Sequence, residues 1–340
     1  MKVGMYYNNR DVRVEEMPVP EIGRGDILLK VMASGICGSD LMEFHRIKKA
    51  PLVLGHELGG EVLAVGSDAA AFRAGDRIFV THHVPCDACR ECLRGYKTQC
   101  GDFKKVNNFV PGGFATHMRV TGRSLRTGAI KLPDDVSYEQ GSFIEPLGTV
   151  VEAARVLRGD TVLVLGSGVA GILNIQLARA YGAGTIIATD ISEYRLRAAR
   201  SFGADHAIHA GEFSADRLRQ VNGGRLADKV IICTGARSAA EMALHCYDQG
   251  GEILFFATPR DGEPIEVDWY EHWRNGLTTR MTYGATPEAN RTAFELIRHG
   301  VVRVDDMISH RLSLDEIGEG FRIASAGKDC LKVIIEPNRP

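Results

Sequence analysis

Thiolate and imidazole are the side chains a zinc ion prefers, and this 340-residue chain sets one of each in a short glycine-rich stretch, GICGSDLMEFHRIKKAPLVLGHE. Cys37 sits in a glycine-flanked turn, Ser39 follows two residues later, and His56 comes nineteen residues after Cys37, beside Glu57. Glycine lets the backbone crowd close to a metal, so the stretch reads as one side of a metal-centred site. A second cluster, CDACRECLRGYKTQC, repeats cysteine every three residues at Cys86, Cys89 and Cys92 and adds Cys100. Four soft ligands on one loop satisfy a tetrahedral zinc with no open position, which makes that site structural. His82 and His83 precede the cluster, but its shell is complete without them, and they read as loop residues. Of the remaining cysteines, Cys233 and Cys246 read as core thiols and Cys330 has no assigned role.

A third chemical feature follows at Thr161 to Asp190. The apolar run TVLVLG leads into GSGVAG (Gly166, Ser167, Gly168, Val169, Ala170, Gly171) and then into a helical pattern, ILNIQLARAYGA. Glycines in this order between a strand and a helix permit a tight turn and close approach of a pyrophosphate, which the helix N-terminus stabilises. Asp190 ends the next strand, nineteen residues after Gly171, where a carboxylate accepts hydrogen bonds from ribose hydroxyls and repels a 2′-phosphate. NAD is therefore expected over NADP, with Arg195 in a solvated or ribose-side role. Between the clusters, FIEPLGTVVEAARVL carries Glu145 ahead of a helix with Pro146 near its start. Apolar neighbours on both sides make this an odd place for a purely solvated acid.

The elements that must hold these groups divide in two. Residues 1 to about 145 show short β-like runs broken by glycine and proline, reading as a small, mostly β domain. From Val162 strands and helices alternate, and six strands fit a doubly wound parallel sheet. From Ala285 the alternation stops. The closing piece is too short for a domain of its own and is expected to fold back on the first. The expected division is 1–147 with a zinc lobe at 84–102, then 148–284 for the dinucleotide, then 285–340.

Composition excludes several functions. Hydrophobic residues make up 44% and charged residues 25%, which is ordinary for a globular protein. The net charge of −2 leaves no basic surplus for nucleic acid or anionic lipid, and no apolar run approaches the length of a membrane span. With no apolar leader at the N-terminus, a cytoplasmic location is expected.

The motifs GICGSD, GHE, the four-cysteine lobe, FIEPLG, LGSGVAG and SHRLSL occur in the order seen in zinc-dependent medium-chain dehydrogenases. The chain resembles their polyol (sorbitol) and threonine dehydrogenase branch over nearly its whole length. That resemblance implies a GroES-like catalytic domain with an inserted Rossmann domain, one catalytic and one structural zinc, and NAD. It makes Cys37, His56 and Glu145 catalytic zinc ligands, with Glu57 the nearby acid that can approach the metal. It gives Ser39 the hydroxyl proton to accept. The implied reaction moves a hydride from a secondary alcohol (a polyol, cyclitol, sugar or similar small molecule) to NAD. A threonine-type amino-alcohol oxidation, with Glu43 facing the ammonium, and a non-catalytic dinucleotide binder are the alternatives. Two positions depart from the pattern. Met42 stands where relatives often have a relay histidine, with His45 three residues on. Thr282 stands near the place of a substrate-contacting arginine, two residues from Arg280. The basic run Arg46, Lys48, Lys49 reads as a solvated loop, with an anionic substrate such as a phosphorylated sugar as the alternative. A homodimer or homotetramer is implied, and EILFFAT is expected at or near a pairing sheet edge.

Overall fold

The computed structural model describes residues 1–339. Two compact units emerge: Met1–Thr149 together with the segment from Gly284 onward, and Val150–Tyr283.

The first unit is built on a predominantly antiparallel sheet. Its order is Ile308–Ser313, Lys332–Glu336, Ile27–Gly35, Glu57–Val65, Arg77–Val80 and Ala129–Lys131, with His117–Val120 also paired to Ile27–Gly35. Strand Ile27–Gly35 alternates buried and half-buried residues until its last three, which are all buried. Glu57–Val65 begins with four buried residues. The strict alternation serves a sheet with one wet face, and its loss marks the end where both faces are covered. Ile27, Leu29, Val31, Leu58, Val62, Ile78 and Met118 form the core beneath. A second core joins Val3, Tyr6 and Phe114 to Phe321, on helix Ile317–Ala326, and to Ile335.

Register brings the buried ends together. Gly35 pairs with Glu57 on one side and with Ile334 on the other. The strand Lys332–Glu336, some three hundred residues later in the chain, thus lies directly beside the strand that leads to Cys37.

The second unit holds a six-stranded parallel sheet in the order His206–His209, Thr185–Asp190, Thr161–Leu165, Ala227–Ile232, Tyr247–Phe255, Thr278–Met281. Thr161–Leu165 is buried at all five positions, as a central parallel strand must be. Strand order reverses beside it, and in such sheets ligands bind at the carboxyl ends of the strands next to that reversal. The mostly β unit and the doubly wound sheet match the fold class expected. EILFFAT begins in the last residues of Tyr247–Phe255 and runs past its end, one strand in from the edge formed by Thr278–Met281.

Candidate active site

Cys37 follows the buried end of Ile27–Gly35, and His56 immediately precedes Glu57–Val65. Ligand atoms of Cys37, His56 and Glu57 all lie within 4.8 Å of one another. Asp40, fully buried, fixes two of them. One of its oxygens accepts from the Cys37 N–H at 3.0 Å, and the other lies 3.5 Å from His56 Nδ1. Engaging Nδ1 leaves Nε2 for a metal, and a carboxylate behind the ring orients it. Burial opposes charge on His56, but Asp40 and Cys37 outweigh it and hold the imidazole proton well above its ordinary range. The Cys37 thiol is pushed up by burial and by Glu57, against the pull of His56. Metal binding must therefore displace protons here.

Glu57 is buried, and its partner is Lys332, only 1% exposed. The ammonium donates to Glu57 Oε2 and, at 3.2 Å, to the Ile36 carbonyl. Gly35 makes the pair possible: a Cβ there would lie 2.7 Å from Glu57 Oε2 and overlap the end of the Lys332 side chain. Burial works against the charged Lys332, and Glu57 and Cys37 restore it, so its proton is held above the ordinary lysine range.

Glu145 lies in the first turn of helix Ile144–Ala153 and is 7% exposed. It falls outside the mutually close group of Cys37, His56 and Glu57, yet His56, Glu57 and Lys332 all act on its charge. Burial dominates and raises the carboxyl to about 7, with Glu57 adding to the rise while His56 and Lys332 oppose it.

Around this centre, Arg46 donates to both the carbonyl and the hydroxyl of Ser39, at 3.0 and 3.2 Å. The His82 ring lies 4.8 Å from that of His56 and 3.7 Å from that of His83, which stacks on Phe103. Burial keeps both neutral, pushing His83 down to about 4 and His82 well below its usual range. Read from the sequence as loop residues, they form a wall beside His56. Met42 and His45 are exposed; His45 is held down by burial and by Arg46, Lys49 and Lys48.

Cys86, Cys89, Cys92 and Cys100 converge within the same 4.8 Å limit. Sulfur separations are 3.5 Å for Cys89–Cys92 and 4.0 Å for Cys86–Cys92. A zinc at about 2.3 Å from each sulfur sets tetrahedral separations of about 3.8 Å, so the cluster fits that ion. Burial resists ionisation of Cys100, but the N–H groups of Phe103, Cys86 and Asp102 bring it down to about 6.

In the second unit Gly166 has φ +95°, a left-handed value that glycine adopts at no steric cost. Gly168 caps helix Val169–Ala180, whose first turn holds Val169, Ala170 and Gly171; a Cβ on Gly171 would overlap the Gly166 carbonyl. Asp190 accepts from the N–H groups of Ser167 at 2.8 Å and Ser192 at 2.9 Å, and Arg195 lies 4.0 Å from it. The loop, helix start and acid form a cradle that fits a dinucleotide's pyrophosphate and ribose.

The sequence reading did not single out Asp40 or Lys332, and it placed Arg46 in a solvated loop. Asp40 was visible inside GICGSD; nothing near Lys332 in the sequence marks it.

Known proteins resemble this chain in sequence and fold. Residues 23–134 match the family model of the alcohol dehydrogenase GroES-like domain, and residues 170–299 that of the zinc-binding dehydrogenases. A sorbitol dehydrogenase of Bacillus subtilis (strain 168) is 32% identical over 354 residues, covering 100% of this chain and 98% of its own. An L-threonine 3-dehydrogenase of Francisella tularensis subsp. novicida (strain U112) is 30% identical over 340 residues, covering 95% of each. The crystal structure of galactitol-1-phosphate dehydrogenase from Escherichia coli superimposes with a TM-score of 0.87 at 28% identity, covering 99% of this chain and 100% of that one.

Two outcomes follow from the buried charges. Lys332→Met leaves Glu57 buried without its partner, and denaturant unfolding should show a loss of about 3–5 kcal/mol. Glu145 resists ionisation in the metal-free fold, its folded value of about 7 lying above the ordinary 4.5. Its destabilising effect is thus absent below pH 4.5 and complete above 7. Metal-free protein should lose stability over that interval, and Glu145→Gln should flatten the loss. Zinc affinity measured against pH should rise through neutrality, with the slope reduced by about one proton in Glu145→Gln.

Proposed function

The chain belongs to the zinc-binding dehydrogenase family of alcohol-oxidising enzymes, and on that premise we propose that it moves a hydride from a secondary alcohol of polyol, cyclitol or sugar type to NAD. The observation that carries this reading is the convergence of Cys37, His56 and Glu57 at one buried sheet end, with Glu145 beside them. We assign Cys37, His56 and Glu145 as catalytic zinc ligands, with Glu57 able to approach the metal. Cys86, Cys89, Cys92 and Cys100 are the structural set. When bound, zinc acts as a Lewis acid that makes a substrate hydroxyl more acidic, and the nicotinamide accepts the hydride.

The chain's own residues do the rest. Asp40 holds His56 in the orientation that leaves Nε2 free. Lys332 balances Glu57 and keeps it from adding an unpaired charge to the centre. His82 and His83, both neutral and packed with Phe103, line the site without supplying charge. Asp190 is the reason for preferring NAD: with its oxygens already held by Ser167 and Ser192, its negative charge is fixed where a 2′-phosphate would have to lie.

A threonine-type substrate is less well supported. Glu43, the acid available for an ammonium, accepts from the Asn9 N–H at 3.1 Å, and the cation Arg46 stands beside Ser39. Arg280 is no substitute for a substrate-binding arginine, because it donates to the Ala153 carbonyl at 2.7 Å and lies 3.5 Å from Glu252.

We further propose a homodimer paired through Thr278–Met281. This edge strand exposes Met281, and the preceding helix Trp269–Arg274 exposes Trp269, Tyr270 and Trp273. An unpaired strand edge flanked by exposed aromatic residues favours association. None of the eight cysteines forms a disulfide, and thiolate metal sites suit a reducing compartment, which supports the cytoplasm. Among the described residues no helix is long and apolar enough to cross a membrane.

A panel of polyols, cyclitols, sugars and threonine, each offered with NAD and NADP, tests the assignment by absorbance of the reduced cofactor. Chelation or Cys37→Ser should abolish turnover; full activity in that variant would sink the mechanism. Asp190→Ser should weaken NAD binding about tenfold or more and narrow the preference over NADP.

A further inference from the structure

Arg46 ends helix Glu43–Arg46, and the turn Ile47–Lys49 that follows adds Lys48 and Lys49, so three cations fall close together in the chain. Among the described residues none of the three pairs with a carboxylate. The acid on the same helix, Glu43, accepts from the Asn9 N–H at 3.1 Å. Asp40 is committed to the Cys37 N–H and to His56. The positive charge of this segment is therefore not balanced by the fold.

Arg46 differs from the two lysines in being half-buried and anchored. Its Nε donates to the Ser39 carbonyl at 3.0 Å and its Nη2 to the Ser39 hydroxyl at 3.2 Å. The Ser39 N–H in turn lies 3.4 Å from the Cys37 sulfur, so one residue separates the guanidinium from a ligand of the metal-type centre. Its field reaches Asp40, His82 and His83, which belong to that centre. A guanidinium carries five N–H groups, and Ser39 takes two of them along one edge. The other edge, between Nη1 and Nη2, keeps a parallel pair of donors of the kind that grips a phosphate or carboxylate at two points.

A fixed, half-buried cation without an acid is suited to a ligand that brings its own anion. The pyrophosphate of the dinucleotide already has a cradle in the glycine loop and the start of helix Val169–Ala180, which leaves the anion to the substrate. A phosphomonoester carries a charge of about −1.5 to −2 at neutral pH, a closer match to three cations than a single carboxylate. We propose that the substrate is a phosphorylated polyol, cyclitol or sugar. The free edge of Arg46 holds its phosphate, with Lys48 and Lys49 beside it, while its carbinol lies at the centre of Cys37 and His56. The inference rests on the alcohol-oxidising reading above and narrows it. No bond to phosphorus is made or broken: the phosphate is a handle, and the hydride still leaves the carbinol carbon.

The test offers zinc-loaded protein a panel of polyols, cyclitols and sugars, each free, as its phosphomonoester and, where one exists, as the matching sugar acid. For the preferred skeleton, wild-type kcat/KM should be at least about tenfold higher for the phosphomonoester than for the free compound, mainly through KM. Arg46→Met should cut that ratio about tenfold, and Arg46→Lys should keep part of it. The double variant Lys48→Met, Lys49→Met should lower it about threefold and weaken its dependence on salt. Taking the ratio cancels what the lost Ser39 contacts do to both substrates alike. A wild-type ratio near one, a ratio unmoved by Arg46→Met, or a sugar acid preferred to the phosphate would overturn the proposal. So would an Arg46→Met defect confined to the KM for NAD, which would assign the cation to the cofactor. Equilibrium dialysis of inorganic phosphate against the same proteins, saturated with NAD, reads the site without turnover. Binding should weaken about tenfold in Arg46→Met, and equal binding by both proteins would overturn the proposal. If phosphate binding follows Arg46 while no compound of the panel is oxidised, the alcohol-oxidising reading fails and the anion site remains.

Discussion

The buried contact between Glu57 and Lys332 is the constraint on which the first unit depends. Cys37, Asp40, Glu57 and Glu145 bring acidic groups into one desolvated region, where an unpaired charge costs several kcal/mol. Asp40 is answered by His56 and by the Cys37 N–H, and we propose that Cys37 and Glu145 face a divalent cation. Glu57 needs a cation of its own, and it comes from a strand 275 residues later. That requirement explains why the chain returns to the first unit after completing the second. It also explains Gly35, whose missing side chain is the space the ammonium occupies.

The two metal-type clusters solve the same ligand problem in opposite ways. Cys86, Cys89, Cys92 and Cys100 come from one loop and pack on Phe103. Their chemistry is local, so four thiols at short spacing suffice. The other centre draws Cys37 and His56 from different sheet strands and holds its acids by burial. Its ligands differ in kind, and the carboxyl of Glu145 is raised toward neutrality by the surroundings that a metal must overcome. A closed thiolate shell gives a staple; mixed ligands with a displaced acid give a centre that can exchange what it binds.

Legibility in the sequence follows the same division. The cysteine lobe, the glycine loop and Asp190 each lie within thirty residues of their partners, and their chemistry reads directly from spacing. Strand and helix alternation likewise exposed the parallel sheet, whose central strands Thr161–Leu165 and Thr185–Asp190 are buried along almost all their length. Lys332 was invisible because its meaning is given only by register, Gly35 lying between Glu57 and Ile334. His82 and His83 were discounted because four cysteines already filled the shell beside them. What the spacing could not show is that the chain leaving strand Arg77–Val80 brings the His82 ring beside His56. Arg46 was read as one charge of a solvated run, although only Lys48 and Lys49 are fully exposed.

The guanidinium held at Ser39 bears on what the site can favour. An imidazole near Ser39 would carry protons but would lose its charge above about pH 6.5, whereas a guanidinium keeps its charge throughout the physiological range. The field of that guanidinium acts on any ligand that comes near Ser39. It opposes an ammonium near Ser39 and favours oxygen-rich or anionic compounds. With Glu43 already engaged by the Asn9 N–H, no acid in that loop offsets the bias. We propose that the same arginine helps to separate a polyol-like substrate from an amino alcohol.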